Sequence, residues 1–221
     1  HDPALVSACL DRVGVTRLDL LVLTHFDKDH VGGTEAVIGR AETVLHGPTD
    51  GSADERLLEE LAAAGAQVVS GQAGMTGTLG GAHWSVLWPR ATALFAAGND
   101  SSVTVSIEGG GVPRSLFLGD LSADPQRMLR ASVSGVVEVV KVSHHGSADQ
   151  DPGLYEQIAP RVALIGVGAD NTYGHPPTTT IAMLQGSAVG RTDQDGIVAV
   201  VGEGDTLALW RERAASVVGG G

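Results

Sequence analysis

The chain has 221 residues, 43% of them hydrophobic but only 4% aromatic, with 26 acidic against 14 basic side chains and a formal charge of −12. That length and apolar content suffice for a full core, while the acidic balance excludes a broad electrostatic footprint for nucleic acid and leaves local phosphate contacts beside a cation as the route to one. A single cysteine, Cys9, excludes an intrachain disulfide and a cysteine-rich zinc cluster, and no run approaches the roughly 20 apolar residues of a membrane-spanning helix.

Asp2 as N-cap and Pro3 at the first helical position open a helix over Pro3 to Val13. With no charged-then-apolar leader ahead of it, the chain reads as a soluble piece trimmed from a longer protein. The apolar run Leu18 to Leu23 lacks alternation and reads as a strand buried on both faces. A short helix over Thr34 to Ile38, a strand over Thr43 to Leu45, a helix over Ala53 to Ala64 and a strand over Gln67 to Val69 follow in βαβ rhythm. The glycine-studded GQAGMTGTLGG then gives way to HWSVLW, SVTVSIE and RSLFLGD, short runs that read as antiparallel strands. A helix over Ala123 to Ala131, a strand over Val136 to Val142, a helix over Pro152 to Ile158 and a strand over Val162 to Val167 come next. The last elements are a helix over Thr178 to Gln185, a hairpin-type turn at TDQDG (Thr192 to Gly196), and closing strands over Gly196 to Val201 and Thr206 to Trp210. No repeat or linker divides the chain. The expected architecture is one α/β domain over residues 1–221, two sheets with helices outside in αββα layering.

The decapeptide THFDKDHVGG, Thr24 to Gly33, sets His25, Asp27, Asp29 and His30 straight after the first strand. Imidazole nitrogens and carboxylate oxygens suit Zn²⁺, Mn²⁺ or Fe²⁺, and two aspartates crowded between histidines repel each other unless a cation is bound. Three further segments put ligand-type residues at strand ends: SLFLGD ends in Asp120, VVEVVKVSHHGS in His144 and His145, and ALIGVGADNTYGHP reaches His175. Five of the eight histidines fall in such loops. Asp120 is either an N-cap of the next helix or a carboxylate bridging two cations. Neighbours on a strand face opposite ways, so one of His144 and His145 enters a metal shell and the other meets substrate or supports the ligands from behind. His175 is a rigid loop residue, a ligand or a proton donor. Asn99 to Ser102, with Asn99 and Ser101 foremost, stands where polar groups could reach substrate, as could Lys141 and Arg191 toward a phosphate. His46 and His83 read as ordinary surface histidines.

HFDKDH with VGG, LGDL, KVSHHGS and VGADNTYGHP together resemble the metallo-β-lactamase superfamily, and more narrowly the C-terminal domain of the ComEC DNA-internalisation competence proteins. The likeness runs from about Leu18 to Asp195. It implies an αββα sandwich of metallo-β-lactamase type whose usual opening strands are missing before His1, with a bare sheet edge as the consequence. It also implies two divalent ions, Mn²⁺ or Zn²⁺, held by His25, Asp27, Asp29, His30, Asp120 and one of His144 and His145. Asp27 stands where the superfamily's HxHxDH has its second histidine, a change that suits a harder ion such as Mn²⁺. The superfamily's middle histidine has no counterpart, and Asn99 to Ser102 occupies that stretch.

The function so implied is a metal-dependent phosphodiesterase that cuts DNA and degrades the non-transported strand during uptake, with Asp29 and Asp120 orienting the nucleophile and His145 or His175 protonating the departing oxygen. Single-stranded DNA and a membrane channel domain of the same parent protein are the implied partners, and the extracytoplasmic side of the cell membrane the implied location. The alternatives are a phosphorylcholine-esterase-like surface hydrolase, for which eight aromatic side chains make a poor supply of cage residues, and a non-catalytic binding module on the same fold.

Overall fold

A computed structural model describes residues 2–92 and 95–213. The protein is mixed α/β, with three sheets among the described residues, ordered β1-β2-β3, β10-β9-β8-β7-β6-β5-β4 and β11-β12. Contacts group the chain into two compact units, one of 2–80, Trp84–Val105 and Gly119–Leu121, the other of the rest.

In the first unit, Asp2 caps α1 (Pro3–Arg12) by accepting the Ala4 N–H at 2.9 Å. Strands β1 (Leu18–Leu23), β2 (Ala41–His46) and β3 (Gln67–Ser70) are parallel, with Leu20 opposite Thr43 and Val44 opposite Val68. Between β1 and β2 lie the single-turn α2 (Lys28–Val31) and a 3₁₀ turn, Thr34–Val37; α3 (Ser52–Ala63) crosses from β2 to β3. Leu57, Leu58 and Leu61 fall on one helical face and pack with Leu18, Leu21, Leu23 and Val44, as a parallel sheet requires of its crossover helix. Strands β4 (Thr76–Leu79) and β5 (Ala82–Trp88) follow, and a 3₁₀ turn, Asn99–Ser101, precedes β6 (Thr104–Gly109), along which the chain leaves this unit. The β4 strand was hidden in the glycine-rich stretch, where alternation is carried by Thr76, Thr78 and little else.

The second unit takes β7 (Val112–Phe117), α4 (Ala123–Leu129), β8 (Val139–Lys141), α5 (Pro152–Ile158), β9 (Val162–Ile165), α6 (Thr178–Met183) and β10 (Ala188–Arg191). Strands β7 to β10 are parallel neighbours, so each return needs a crossover, and α4, α5 and α6 supply it. RSLFLGD, expected as an antiparallel strand, pairs in parallel with β8. Val140, Val142, Leu154, Ile158 and Ile165 form the buried interior. TDQDG is not a hairpin turn: it forms α7 (Thr192–Asp195), ended by Gly196 at φ 69°. Asp195 accepts the Arg191 N–H at 2.8 Å, which winds the segment into a helical turn. Strands β11 (Val198–Val201) and β12 (Ala208–Arg211) close the described chain as an antiparallel pair. Among the described residues, no helix is long and apolar enough to cross a membrane.

Candidate metal centre

The first-loop residues are aimed by the end of β1. Leu23 is buried and His25 is fully so, whereas Asp27 and Asp29 stay about half exposed. The Asp27 carbonyl accepts the N–H groups of His30 and Val31, and this single turn, α2, carries Asp29 and His30 round together. His30 Nε2 lies 3.1 Å from Asp120 Oδ2 and 3.9 Å from Asp29 Oδ2. One ligand atom from each of Asp29, His30 and Asp120 falls within 4.8 Å of the others. Atoms bound to one cation at about 2.0–2.3 Å sit some 3 Å apart, so modest closure about an ion completes the set.

Asp120 is buried and does not cap the following helix, whose N-cap is Ser122. The backbone places it. Gly119 takes φ 59°, and a Cβ there would fall 2.5 Å from the Ser102 Cβ, so only glycine lets the strand end close onto Ser102. The Ser102 hydroxyl then accepts the Asp120 N–H at 3.1 Å and meets His25 Nδ1 at 3.2 Å. Thr24 Oγ1 also reaches His25 Nδ1, at 3.1 Å. With two hydroxyl partners at Nδ1, the other nitrogen, His25 Nε2, is buried with no hydrogen-bond partner among the described residues, and the Asp27 carboxylate is 3.7 Å away. Buried polar atoms rarely stand alone. An imidazole held at Nδ1 with Nε2 left bare has the arrangement of a metal ligand and its supporting hydroxyl.

Burial, and then the His30 ring with its centroid 4.0 Å away, lower the His25 pKa to about 4, against the pull of Asp120, Asp27 and Asp29. The ring is therefore neutral at pH 7, the form that ligates. The donor set, two imidazoles and three carboxylates, fits a divalent ion of the Mn²⁺, Fe²⁺ or Zn²⁺ type.

In the second unit, His144 and His145 are not on a strand, which removes the opposite-faces expectation. They occupy a 3₁₀ turn, His144–Gly146, in which three successive residues are left-handed at φ 46°, 53° and 78°. The ring of His145 has Nδ1 2.7 Å from the Gly166 carbonyl, which fixes a proton on Nδ1 and makes Nε2 the lone-pair nitrogen. His144 lies 6.0 Å, centroid to centroid, from His175, and Tyr173 stacks on His175 at the same distance. The Asn171 amide donates to the His175 carbonyl at 2.6 Å.

Of the expected substrate contacts, Ser101 turns its hydroxyl to the Gly98 carbonyl and Asn99 is half-buried beside it. Lys141 sits in β8 opposite Phe117 and Leu164. Arg191 is paired bidentately with Asp193. Ser102, rather than Asn99 or Ser101, serves the first-unit cluster. His46 ends β2 with Nδ1 2.7 Å from the Gly47 carbonyl, and His83 is exposed.

No protein-family model matches the chain. Among solved structures it is similar to the metallo-β-lactamase fold protein YhfI of Bacillus subtilis, with TM-score 0.58 and 14% identity over 94% of this chain and 83% of that one. It is also similar to CmlA, a diiron β-hydroxylase of Streptomyces venezuelae, with TM-score 0.56 and 18% identity over 80% of this chain and 44% of that one. The class is thereby defined: a protein of the metallo-β-lactamase fold carrying a histidine–aspartate site suited to divalent metal. Over 193 residues it is 30% identical to ComE operon protein 3 of Bacillus subtilis (strain 168), covering 84% of this chain. Over 208 residues it is 28% identical to Recombination protein 2 of Haemophilus influenzae, covering 92%. Within the fold, then, its sequence kinship is to the ComEC competence proteins, and the chain spans about a quarter of the length of these curated relatives.

Proposed function

We propose that this chain is a metal-dependent phosphodiesterase acting on DNA, the hydrolytic part of a competence membrane protein. The observation that carries the reading is the buried His25 Nε2 without a hydrogen-bond partner beside the Asp29, His30 and Asp120 ligand atoms. The kinship with competence proteins favours DNA as the substrate class.

His25, Asp27, Asp29, His30 and Asp120 would hold divalent cations, Mn²⁺ foremost given the carboxylate at position 27. His145 is proposed as the late ligand in preference to His144, because its Nδ1 proton is engaged by Gly166. Cations so held would lower the pKa of a water toward neutrality and would offset charge developing on the attacking and departing oxygens. Asp29 and Asp120 keep the nucleophile's proton directed away from the phosphate, and the half-buried His175, backed by Tyr173, hands a proton to the departing 3′ or 5′ oxygen.

The acidic character of the chain fits local rather than extended contact with the backbone, so the strand is held at the site and by few other charges. The partners proposed are single-stranded DNA and the membrane channel domain of the parent protein, on the extracytoplasmic side. The test is cleavage of a labelled single-stranded oligonucleotide with Mn²⁺ by the wild-type chain and by Asp29→Ala. Metal-dependent cleavage lost in the variant is expected; equal activity in both would overturn the reading. Turnover of a choline phosphoester in preference to DNA would favour the esterase instead.

A further inference from the structure

The first unit contains a small, partly open pocket, walled by Pro48, Gln72, Trp88, Arg90, Phe95 and Asp100 among others. Its position follows from topology. Because β1, β2 and β3 are parallel, the segments after them emerge along one edge, where α/β proteins bind ligands: the ligand loop after β1, Pro48 after β2 and Gln72 after β3. Backbone hydrogen bonds from Gly47 to the Leu23 carbonyl and from Gly71 to the His46 carbonyl tie the three ends together. The cavity and the metal centre even share a stretch of chain. Asp100 and Ser101 line the cavity, and the next residue, Ser102, holds His25 and Asp120.

The lining has a particular chemistry. Trp88 is 2% exposed and its Nε1 donates to the Asp100 carbonyl at 2.8 Å, so the floor is rigid. The Phe95 ring lies 5.8 Å from that of Trp88, and the Arg90 guanidinium carbon lies 5.7 Å from the Trp88 centroid. Aromatic and guanidinium planes stack on nucleobases of any sequence. Gln72, Thr92 and Asp100 offer amide, hydroxyl and carboxylate groups around them.

We propose that this cavity is a base subsite, taking a nucleobase of the same DNA strand whose phosphodiester is cut at the neighbouring metal centre. The inference rests on the phosphodiesterase reading and deepens it. Stacking against Phe95 and Arg90 would seat the strand without the basic surface the chain lacks, and without choosing among sequences.

The experiment is fluorescence anisotropy of the whole chain with Ca²⁺, using labelled octathymidylate and an abasic octamer of the same backbone, beside a cleavage assay with Mn²⁺. The wild type is expected to bind octathymidylate about ten-fold more tightly than the abasic strand. Phe95→Leu and Arg90→Gln should erase that difference, lowering octathymidylate binding far more than abasic binding, and Phe95→Tyr should retain it. If Phe95→Leu melts early, Arg90→Gln carries the comparison. Variants that bind both strands like the wild type, or lose both equally, overturn the base subsite. A wild type that cleaves DNA yet binds both strands alike sinks the subsite alone, whereas one that neither binds nor cleaves any DNA sinks the phosphodiesterase reading and this inference with it.

Discussion

His30 Nε2 stands 3.1 Å from Asp120 Oδ2 although 90 positions separate the two residues. The contact joins the turn after β1 to the end of the β7 segment, and the Asp120 carboxylate is almost wholly buried there. Burial of a carboxylate is costly without a compensating charge, and a divalent ion supplies one. Asp120→Asn keeps the shape and removes the charge. It should lower Mn²⁺ affinity by at least about a hundred-fold, since changes even to outer partners cost about 10–100-fold. Metal content by mass spectrometry and calorimetric titration check it; unaltered metal binding would show that Asp120 is structural.

Ser102 is one hydroxyl serving two ligands, His25 at Nδ1 and Asp120 at its backbone N–H. Ser102→Ala leaves the Asp120 N–H in a buried place with its acceptor removed, at a cost of about 1–3 kcal/mol. The metal-free protein should therefore unfold at lower urea, and the Mn²⁺ affinity of the loaded one should fall roughly ten-fold. Ser102→Thr, which restores the hydroxyl, tests whether the loss follows the hydrogen bonds.

The His25 ring has a pKa lowered from 6.5 to about 4 by burial and by His30. In the unfolded chain it takes up a proton near pH 6.5, and in the native protein it resists until about pH 4, so the unfolded state binds more protons across that interval. Stability thus rises with pH over the window and is lost as pH falls from 6.5 toward 4. Urea titrations of chelator-treated protein at several pH values should show this slope, reduced in His25→Asn. A wild type equally stable at pH 4.5 and 7 would refute the assignment.

Much of this centre was visible in the sequence because metal ligands at strand ends leave a local mark. An apolar run such as Leu18 to Leu23 followed by HFDKDH signals both the strand and its cargo, and SLFLGD repeats the signal at Asp120. Ser102 left no such mark. Serine is common in turns, and what selects it is Gly119, whose close approach is a tertiary fact. The backbone of the His144 and His145 pair was misread for a related reason: the strand period was extended past Lys141, where β8 stops, into the left-handed run His144–Gly146. The β10 strand, AVGR, is too short and small to declare itself, and gains its order from register with Val162–Ile165.

Three left-handed residues in a row, two of them not glycine, are held by a buried polar clamp. Left-handed backbone costs a non-glycine residue on the order of 1–2 kcal/mol, so the surrounding structure must over-determine it. Gln150 does this by donating from Nε2 to the Ser143 carbonyl at 3.0 Å and the Ser147 carbonyl at 3.2 Å, which spans the His144–Gly146 turn. Its Oε1 accepts from the Tyr155 hydroxyl at 2.7 Å and from Gln126 at 3.1 Å. Tyr155 Oη in turn accepts the Ser143 N–H at 3.3 Å, and burial pushes the Tyr155 pKa up, so the hydroxyl remains a donor. Tyr155→Phe removes that donor and acceptor together while keeping the ring, and should cost about 1–3 kcal/mol of stability. Gln150→Leu removes the clamp itself and should cost more, releasing the turn. The distinguishing readout is hydrogen exchange at Gly146 and Ser147, whose N–H groups bond to the Ser143 and His144 carbonyls only in this conformation. Faster exchange there in Gln150→Leu than in Tyr155→Phe, with the β8 and β9 amides still protected, is the expected pattern; uniform acceleration across the unit would mean that the network supports the core at large and not the histidine turn.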